Sequence, residues 1–229
     1  MQLHQFRQSP FCDKVRLVLA AKGLSYDVVE VTPGLGQIAL FRLSGQRQVP
    51  VLVDGETVIS DSTAIALHLE REHPQPALLP SDPALRAQVL LLEDWADTAL
   101  ACGVRGALVQ AAASDPELRA ALLPEATPGP LKQLVAAVPA GLGSLAETLG
   151  ESLLGSAERQ QLQRNLEQLQ LLLGANAYLV GGALSLADLA VVAQLSLLRP
   201  MGLVVPGLGD NPLLEPLFAW REQLLSRLG

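Results

Sequence analysis

The chain has 229 residues, which is enough for one large domain or two modest ones. Hydrophobic residues make up 49% of it and aromatic residues only 3%, so the core must be built mainly from leucine, alanine and valine. The net charge of −7 argues against a nucleic-acid-binding protein, which usually needs a basic face, and against affinity for an anionic membrane.

The number of cysteines and the hydropathy of the chain indicate in which cellular compartment the protein is found. Cys12 and Cys102 are too few for a disulfide framework, which fits a reducing cytosol. The first residues lack a charged start followed by an apolar run, so no signal peptide is predicted. The most apolar stretch, 184–205, contains Asp188 and Arg199 and predicts a buried core helix rather than a membrane span. We therefore expect a cytoplasmic protein with no membrane partner.

The first elements along the chain alternate between strand and helix. Residues 3–7 predict a short strand, and Pro10 suits the first turn of a helix, where its missing N–H is harmless. Gly23 is the expected C-terminal stop of that helix. Residues 26–31 are rich in β-branched side chains and predict a second strand.

A β-hairpin comes after a connecting segment. Residues 51–53 and 57–59 predict its two strands, because Asp54-Gly55 between them is a strong turn signal. Residues 62–72 predict the next helix from their apolar spacing. The order is therefore βαβ, a connecting segment, and ββα.

The rest of the chain is helical in character. Four prolines between residues 73 and 83 indicate a linker, and residues 85–113 predict one long helix with a break near Gly103. The segment 124–155 is rich in proline and glycine, and no element is predicted for it.

Residues 157–174 form an amphipathic pattern. Leucines at positions 162, 166, 169 and 173 share one face, which is more typical of a bundle helix than of a zipper because the run is short. Residues 200–212 predict a loop, and residues 213–228 predict a terminal helix on which Trp220 is packed.

Ser9 stands between the first strand and the first helix. A helix N-terminus carries unpaired N–H groups and a partial positive charge, so it stabilises a bound anion and lowers the pKa of a bound thiol. A serine hydroxyl there can donate a hydrogen bond to a thiolate. The alternative is that Ser9 only caps the helix.

Val49-Pro50 precedes an apolar strand. A cis bond at this proline would turn the Val49 N–H and C=O toward a ligand in the manner of an added antiparallel strand. Most bonds before proline are trans, so an ordinary strand-initiating proline is the alternative.

Asp61-Ser62 opens the helix after the hairpin. The Ser62 hydroxyl and the nearby N–H groups suit a carboxylate, and Asp61 suits an ammonium. An α-amino acid head carries both charges. The alternative is a capping residue with a favourable acid in the first turn.

Taken together and in this order, the three segments resemble the ligand grip of the glutathione transferase superfamily. The run Ser9-Pro10-Phe11-Cys12-Asp13-Lys14-Val15-Arg16-Leu17 is similar to the serine-type tau and zeta classes. It also resembles the Cys-Pro-Phe start of omega-class members and the Cys-Pro-x-Cys of glutaredoxins. This chain has Ser9 at the nucleophile position of those thiol enzymes and Cys12 at the resolving position.

A fourth likeness lies in the segment 178–189, which resembles the helix-capping motif of the same family. Its physics is that of a capping box: Ser185 accepts from the Asp188 N–H while the Asp188 side chain reaches back. Leu184 and Leu189 fall at the positions of a hydrophobic staple. The motif is structural and contributes no site residue.

The resemblance implies a two-domain α+β protein. It implies a thioredoxin-like βαβ-ββα domain at residues 1–74, a linker at 75–84 and an all-α helical bundle domain at 85–229. It also implies a homodimer, with glutathione as cosubstrate and a small hydrophobic electrophile as the second substrate.

The resemblance assigns a role to each matching residue. Ser9 is the catalytic residue and Val49, held by Pro50, aligns the cysteinyl backbone of glutathione. Asp61 and Ser62 hold the γ-glutamyl head. Gln48 binds the glycyl carboxylate or the glycyl backbone, and Arg47 supplies long-range attraction for that carboxylate. Asp-Ser departs from the Glu-Ser or Gln-Ser that is commoner in the family.

The acceptor pocket implied by the resemblance lies between the domains and is lined by residues after Phe6, by the long helix near residues 102–105 and by the C-terminal region. Cys12 is a secondary catalytic candidate, which forms a mixed disulfide with glutathione or is simply a small buried hydrophobe. The three histidines do not form a metal constellation with the cysteines, so no metal site is predicted.

The function that the resemblance implies is conjugation of the glutathione thiol to small hydrophobic electrophiles. Thiol-disulfide exchange through Cys12 is one alternative. Isomerisation of a cis double bond through a glutathione adduct, as in zeta-like enzymes, is another. A third is a non-catalytic binding module on the same fold.

Overall fold

The computed structural model describes residues 1–32, 35–123, 129, 130, 133 and 156–229. They belong to two compact units. The first comprises residues 1–96, 176–193 and 222–229, and the second comprises 97–175 and 194–221. The domain boundaries at 74 and 85 remain a prediction.

The first unit contains a four-stranded sheet in the order β2-β1-β3-β4. Strand β1 pairs in parallel with β2 and antiparallel with β3, which pairs antiparallel with β4. The strands are β1 (Gln2–Gln5), β2 (Asp27–Glu30), β3 (Val51–Asp54) and β4 (Thr57–Ser60). The predicted hairpin is confirmed, and Gly55 takes the positive φ of 59° that its turn requires.

Helix α1 (Pro10–Ala21) begins and ends as the sequence predicts. Gly23 has a φ of 63° and comes directly after the C-cap, Lys22. The amide of Leu24 donates to the Leu19 carbonyl and the amide of Gly23 to the Ala20 carbonyl, both at 2.9 Å. This pattern ends the helix with its last carbonyls satisfied.

The connecting segment contains a helix that the sequence pattern does not predict. Helix α2 spans Leu35–Ser44. Its apolar residues point in different directions, because Leu40 is buried while Ile38 and Phe41 are half exposed. The segment therefore lacks the clean apolar stripe on which helix prediction depends. Helix α3 (Ser62–Glu72) lies where it was predicted.

The long helix predicted over 85–113 is two helices, α4 (Pro83–Trp95) and α5 (Ala101–Ser114). The prediction of a break near Gly103 is wrong, since the interruption is a π-helical turn at Ala96–Leu100. A Cβ at Gly103 would lie 3.1 Å from Leu162 Cδ1, so this glycine permits close packing of two helices. A short helix, α6 (Pro116–Ala121), comes next.

The remaining helices are α7 (Ser156–Leu173), α8 (Leu186–Leu195) and α9 (Glu215–Leu228). The four predicted leucines of α7 are buried at 162, 166, 169 and 173, which confirms a bundle helix. Trp220 on α9 is buried as predicted. The predicted loop at 200–212 contains 3-10 turns, and the unassigned segment 124–155 lies outside the described residues except for 129, 130 and 133.

The proline-rich segment is anchored within the first unit. Lys22 Nζ donates to the carbonyls of His73 and Pro76 at 2.7 and 3.0 Å and pairs with Glu70 Oε2 at 2.7 Å. Glu70 in turn accepts from the Leu78 amide at 3.1 Å. A buried lysine thus binds two carbonyl groups of this segment.

The capping motif at the start of α8 differs in detail from its prediction. Asp188 reaches back to the Ser185 N–H at 2.8 Å, as expected. The Ser185 hydroxyl does not accept from Asp188 but donates to its carboxylate at 2.7 Å. The other carboxylate oxygen accepts from the Leu179 amide at 2.7 Å. One fully buried carboxylate therefore satisfies three donors.

The fold class predicted from the sequence is confirmed, with the mixed sheet and its helices preceding a helical part. Across the described ranges, no helix combines the length and the apolar character that a bilayer span requires.

Candidate active site

The strand register brings the three predicted segments to one end of the sheet. His4 near the end of β1 faces Val51 at the start of β3, and Val51 faces Ser60 at the end of β4. The end of β1, the start of β3 and the end of β4 therefore lie at the same end of the sheet. Ser9, Val49-Pro50 and Asp61-Ser62 lie just beyond those three points.

Ser9 is the N-cap residue of α1. Its backbone is extended, and its side-chain oxygen accepts from the Cys12 amide at 3.4 Å. That contact is long for a hydrogen bond, so the cap is weak. The Ser9 amide donates to the Phe6 carbonyl at 2.9 Å. The Ser9 hydroxyl lies at the positive end of α1 and makes a side-chain hydrogen bond with the Cys12 thiol.

Cys12 is fully buried one turn into the same helix. Its sulfur accepts from the Phe6 amide at 3.5 Å. Burial raises the pKa of the thiol, and the hydrogen bonds from Phe6 and Ser9 and the charge of Arg16 offset this only in part. The secondary catalytic candidate is therefore a protonated thiol that holds the loop before α1.

Arg16 is a support residue that sequence reasoning did not single out. Its guanidinium donates to the Arg7 carbonyl at 3.0 Å, to Gln5 Oε1 at 2.8 Å and to Asp13 Oδ1 at 3.0 Å. These bonds fix the loop between β1 and Ser9. Only the Asp13–Arg16 spacing of three residues on a helix was readable beforehand.

The Val49-Pro50 bond is cis. Pro50 is buried and Val49 is half buried, just before β3 begins. Within the described part of the chain the Val49 N–H and C=O have no hydrogen-bond partner. An extended peptide backbone is the kind of ligand that pairs with such groups. Gln48 and Arg47 are exposed beside them, and Arg47 lies over the Phe41 ring at 5.7 Å.

Asp61, rather than Ser62, caps α3. Its Oδ1 accepts from the amides of Thr63 and Ala64 at 3.0 and 2.9 Å. Its φ of 78° is unusual for a residue other than glycine, although aspartate tolerates this region better than most. The alternative interpretation of Asp61-Ser62, a helix cap, is therefore correct for Asp61. Its Oδ2 has no partner among the described residues, so a cap and a ligand contact are compatible.

Ser62 is buried, with 2% of its surface exposed, at the first position of α3. Its neighbour Thr63 Oγ1 donates to Glu93 Oε1 at 2.6 Å. The start of α3 is therefore tied both to its own cap and to α4.

In the second unit, a cavity of about 280 Å³ is lined by residues of the π-helical turn and α5. Thr98, Cys102, Arg105 and Val109 are among them. This lining includes one of the three regions predicted for the acceptor pocket, the helix near residues 102–105. In the part of the chain that the structure describes, no group of three His, Cys, Asp or Glu side chains is placed to hold a metal ion.

Two family models match the chain. The one described as "Glutathione S-transferase, N-terminal domain" matches residues 3–77, and "Glutathione S-transferase, C-terminal domain" matches residues 154–227. A solved glutathione S-transferase of Rhodospirillum rubrum has a TM-score of 0.72 at 26% identity, covering 99% of this chain and 88% of that one.

Curated relatives match a shorter stretch. "Glutathione S-transferase Z2" of Arabidopsis thaliana is 37% identical over 90 residues, covering 38% of this chain and 40% of the relative. "Maleylacetoacetate isomerase" of Pseudomonas aeruginosa is 39% identical over 94 residues, covering 38% of this chain and 44% of the relative. The chain therefore matches less than half the length of these relatives.

Proposed function

Because the chain belongs to the glutathione S-transferase superfamily, we propose that it is a glutathione-dependent enzyme acting on small electrophiles. The observation that carries the proposal is the Ser9 hydroxyl. It sits at the N-terminus of α1, where its oxygen accepts one long hydrogen bond from the Cys12 amide and its hydroxyl lies beside the neutral Cys12 thiol, a weaker acceptor than a thiolate. This is the arrangement that polarises a bound thiol.

The proposed first step is formation of the glutathione thiolate. The Ser9 O–H donates to the sulfur, and the positive end of α1 favours the negative charge. The thiol proton leaves to solvent. Thiolate is the nucleophile, and it attacks an electrophilic carbon of the second substrate to form a C–S bond.

The other predicted residues orient the tripeptide. The Val49 N–H and C=O pair with the cysteinyl backbone, since Pro50 fixes their direction. Asp61 Oδ2 accepts from the γ-glutamyl ammonium and Ser62 contributes to binding the same head. Gln48 and Arg47 lie exposed on the side proposed for the glycyl carboxylate.

The fate of the sulfur adduct decides the reaction class. With a leaving group on the attacked carbon, that group departs and the conjugate is the product, which is transfer. With a conjugated cis double bond, addition allows rotation about the former double bond, and elimination returns the thiolate. Isomerisation is the second candidate, and the relatives named maleylacetoacetate isomerase favour it.

Thiol-disulfide exchange through Cys12 receives less support. A fully buried thiol whose pKa is raised by burial is a poor nucleophile. A homodimer in the cytoplasm is part of the proposal by family likeness alone.

The decisive experiment is calorimetric titration with reduced glutathione, followed by turnover assays. We expect saturable binding, conjugation of an activated aryl halide or isomerisation of maleylacetoacetate, and loss of turnover in Ser9→Ala. No heat of association at millimolar glutathione would refute the proposed function. Binding without turnover on either substrate would favour the non-catalytic module.

A further inference from the structure

Lys14 is a fully buried cation on α1, five residues after Ser9. Its ammonium lies 2.5 Å from Glu93 Oε1 on α4, and neither side chain has more than 3% of its surface exposed. Lys14 Nζ also donates to Thr63 Oγ1 at 3.1 Å. The proposed thiol chemistry uses none of these three side chains.

Glu93 Oε1 is the centre of the cluster. It accepts from Lys14 and also from the Thr63 hydroxyl, at 2.6 Å. Three helices therefore meet at one carboxylate oxygen. Lys14 comes from α1, Thr63 from the first turn of α3, and Glu93 from near the end of α4.

The positions of these residues relate the cluster to the glutathione grip. Lys14 belongs to the helix whose N-terminus carries Ser9. Thr63 is next to Ser62, and its amide donates to the Asp61 carboxylate at 3.0 Å. The cluster thus links the helix proposed to bind the sulfur with the helix proposed to bind the γ-glutamyl head.

A buried ion pair is a poor means of stabilising a fold. Removing two charges from water costs about as much as their attraction returns, and apolar pairs of equal volume are often as stable. What such a pair supplies is a fixed geometry, because short charge-assisted hydrogen bonds tolerate little displacement. The cluster therefore constrains the distance between the starts of α1 and α3.

We propose that Lys14, Glu93 and Thr63 are positioning residues that hold Ser9 and Asp61-Ser62 at the spacing that glutathione requires. The inference rests on the proposed function. It predicts that loosening the cluster weakens glutathione binding, even where the fold is retained.

The test compares two doubly substituted proteins. In Lys14→Met with Glu93→Gln, the charges are removed at nearly constant volume, and the amide oxygen introduced at position 93 still accepts from Thr63. The matched control is Lys22→Met with Glu70→Gln, which neutralises a second buried pair of the same unit that anchors the proline-rich segment. Calorimetry gives the Kd of glutathione, kinetics give KM and kcat, and thermal unfolding reports the fold.

For the first variant we expect Kd and KM for glutathione to rise about tenfold or more, since small misplacements of a binding group are costly. We expect kcat at saturating glutathione to fall less. The control should keep the wild-type Kd. A folded first variant with the wild-type Kd, or an equal rise in both variants, would overturn the inference.

Thr63→Val keeps the ion pair and is the second test should the first variant fail to fold. It should raise Kd severalfold in a protein that remains folded at the assay temperature, with some loss of thermal stability because Lys14 and Glu93 each lose one buried hydrogen bond. An unchanged Kd would overturn the inference. Failure of the proposed function is distinguishable, because the wild-type protein itself would then bind no glutathione.

Discussion

The side-chain oxygen of Ser9 accepts from the amide of Cys12 at 3.4 Å, while the sulfur of Cys12 accepts from the amide of Phe6 at 3.5 Å. The Ser9 oxygen therefore caps α1, while the Cys12 sulfur binds the loop that precedes the helix. The Cys12 thiol is buried and accepts from the loop before the helix, whereas the Ser9 hydroxyl is half buried at the positive end of α1. For this reason Ser9, and not Cys12, is the first catalytic candidate.

Ser9→Ala should lower turnover by about a hundredfold, as the loss of one preorganised donor typically does. The weak cap contributes about 1 kcal/mol at most, so the fold should persist. Glutathione should bind nearly as well as to the wild-type protein. Steady-state kinetics and calorimetry check both parts. Unchanged turnover with an aryl halide would mean that Ser9 only caps α1.

Cys12 should resist alkylation at neutral pH, while the exposed Cys102 reacts. Burial raises the pKa of the Cys12 thiol, so the folded protein keeps it protonated where an unfolded chain has begun to ionise. Folding stability due to this group is therefore present at lower pH and falls as pH rises above the ordinary thiol value. Mass spectrometry after iodoacetamide treatment identifies the labelled residue.

The control for this experiment is the same treatment in urea, where both cysteines should react. Cys12→Ala should retain turnover, because the thiol takes no part in the proposed step. Rapid labelling of Cys12 in the folded protein, or lost disulfide-reductase activity in the variant, would revive the exchange hypothesis.

Asp61→Asn separates the cap from the proposed ligand contact. The asparagine oxygen can still accept from the Thr63 and Ala64 amides, and asparagine also tolerates positive φ. The negative charge is lost. We expect thermal stability close to that of the wild-type protein and a rise in KM for glutathione of about tenfold, which corresponds to one charge-assisted hydrogen bond. Equal KM values in the two proteins would restrict Asp61 to capping.

The elements that the sequence predicted well have local causes. Gly23 and Asp54-Gly55 are turn signals that depend on a few neighbouring residues, and the leucines of α7 recur at the helical period. Helix α2 was missed because its apolar residues form no single stripe. A π-helical turn leaves no comparable signal, so the interruption at 96–100 was placed too late.

In the candidate site, too, the residues with a local sequence signal could be predicted and the others could not. Ser9 and Asp61 could be chosen because both stand at predicted helix starts. The cis form of Val49-Pro50 is a minority state that only the folded context selects. Lys14 and Glu93 are 79 positions apart, and no local pattern connects them. Sequence reasoning therefore proposed the ligand contacts and missed the residues that hold them in place.

Lys22→Met should release the proline-rich segment. The lysine side chain is fully buried and pairs with Glu70, which has 15% exposure, so its removal leaves a carboxylate and two carbonyls without their cation. Breaking such a pair typically costs about 3 kcal/mol or more. Limited proteolysis should cut the variant between residues 73 and 79, where we expect the wild-type protein to resist. Resistance in the variant would show that the segment is held by other contacts.

Asp188→Asn should destabilise the protein, because an amide oxygen cannot replace both carboxylate oxygens. Its NH₂ group would face the N–H of either Leu179 or Ser185, leaving a buried donor unsatisfied at a cost of about 1–3 kcal/mol. Asp188→Ala should cost more. Urea unfolding measures both variants, and Glu158→Gln on α7 is a control that should change little.

The pH dependence of the Asp188→Asn effect has a definite sign. Burial raises the pKa of Asp188 despite its three hydrogen bonds, so the folded protein retains this proton to higher pH than the unfolded chain does. Stability from this group is therefore greatest at acidic pH and declines as pH rises through the window between the unfolded and folded pKa values. The stability difference between the wild-type protein and Asp188→Asn should shrink over that window and then become constant. A difference that grows with pH would mean that the three donors outweigh burial and hold the carboxylate ionised.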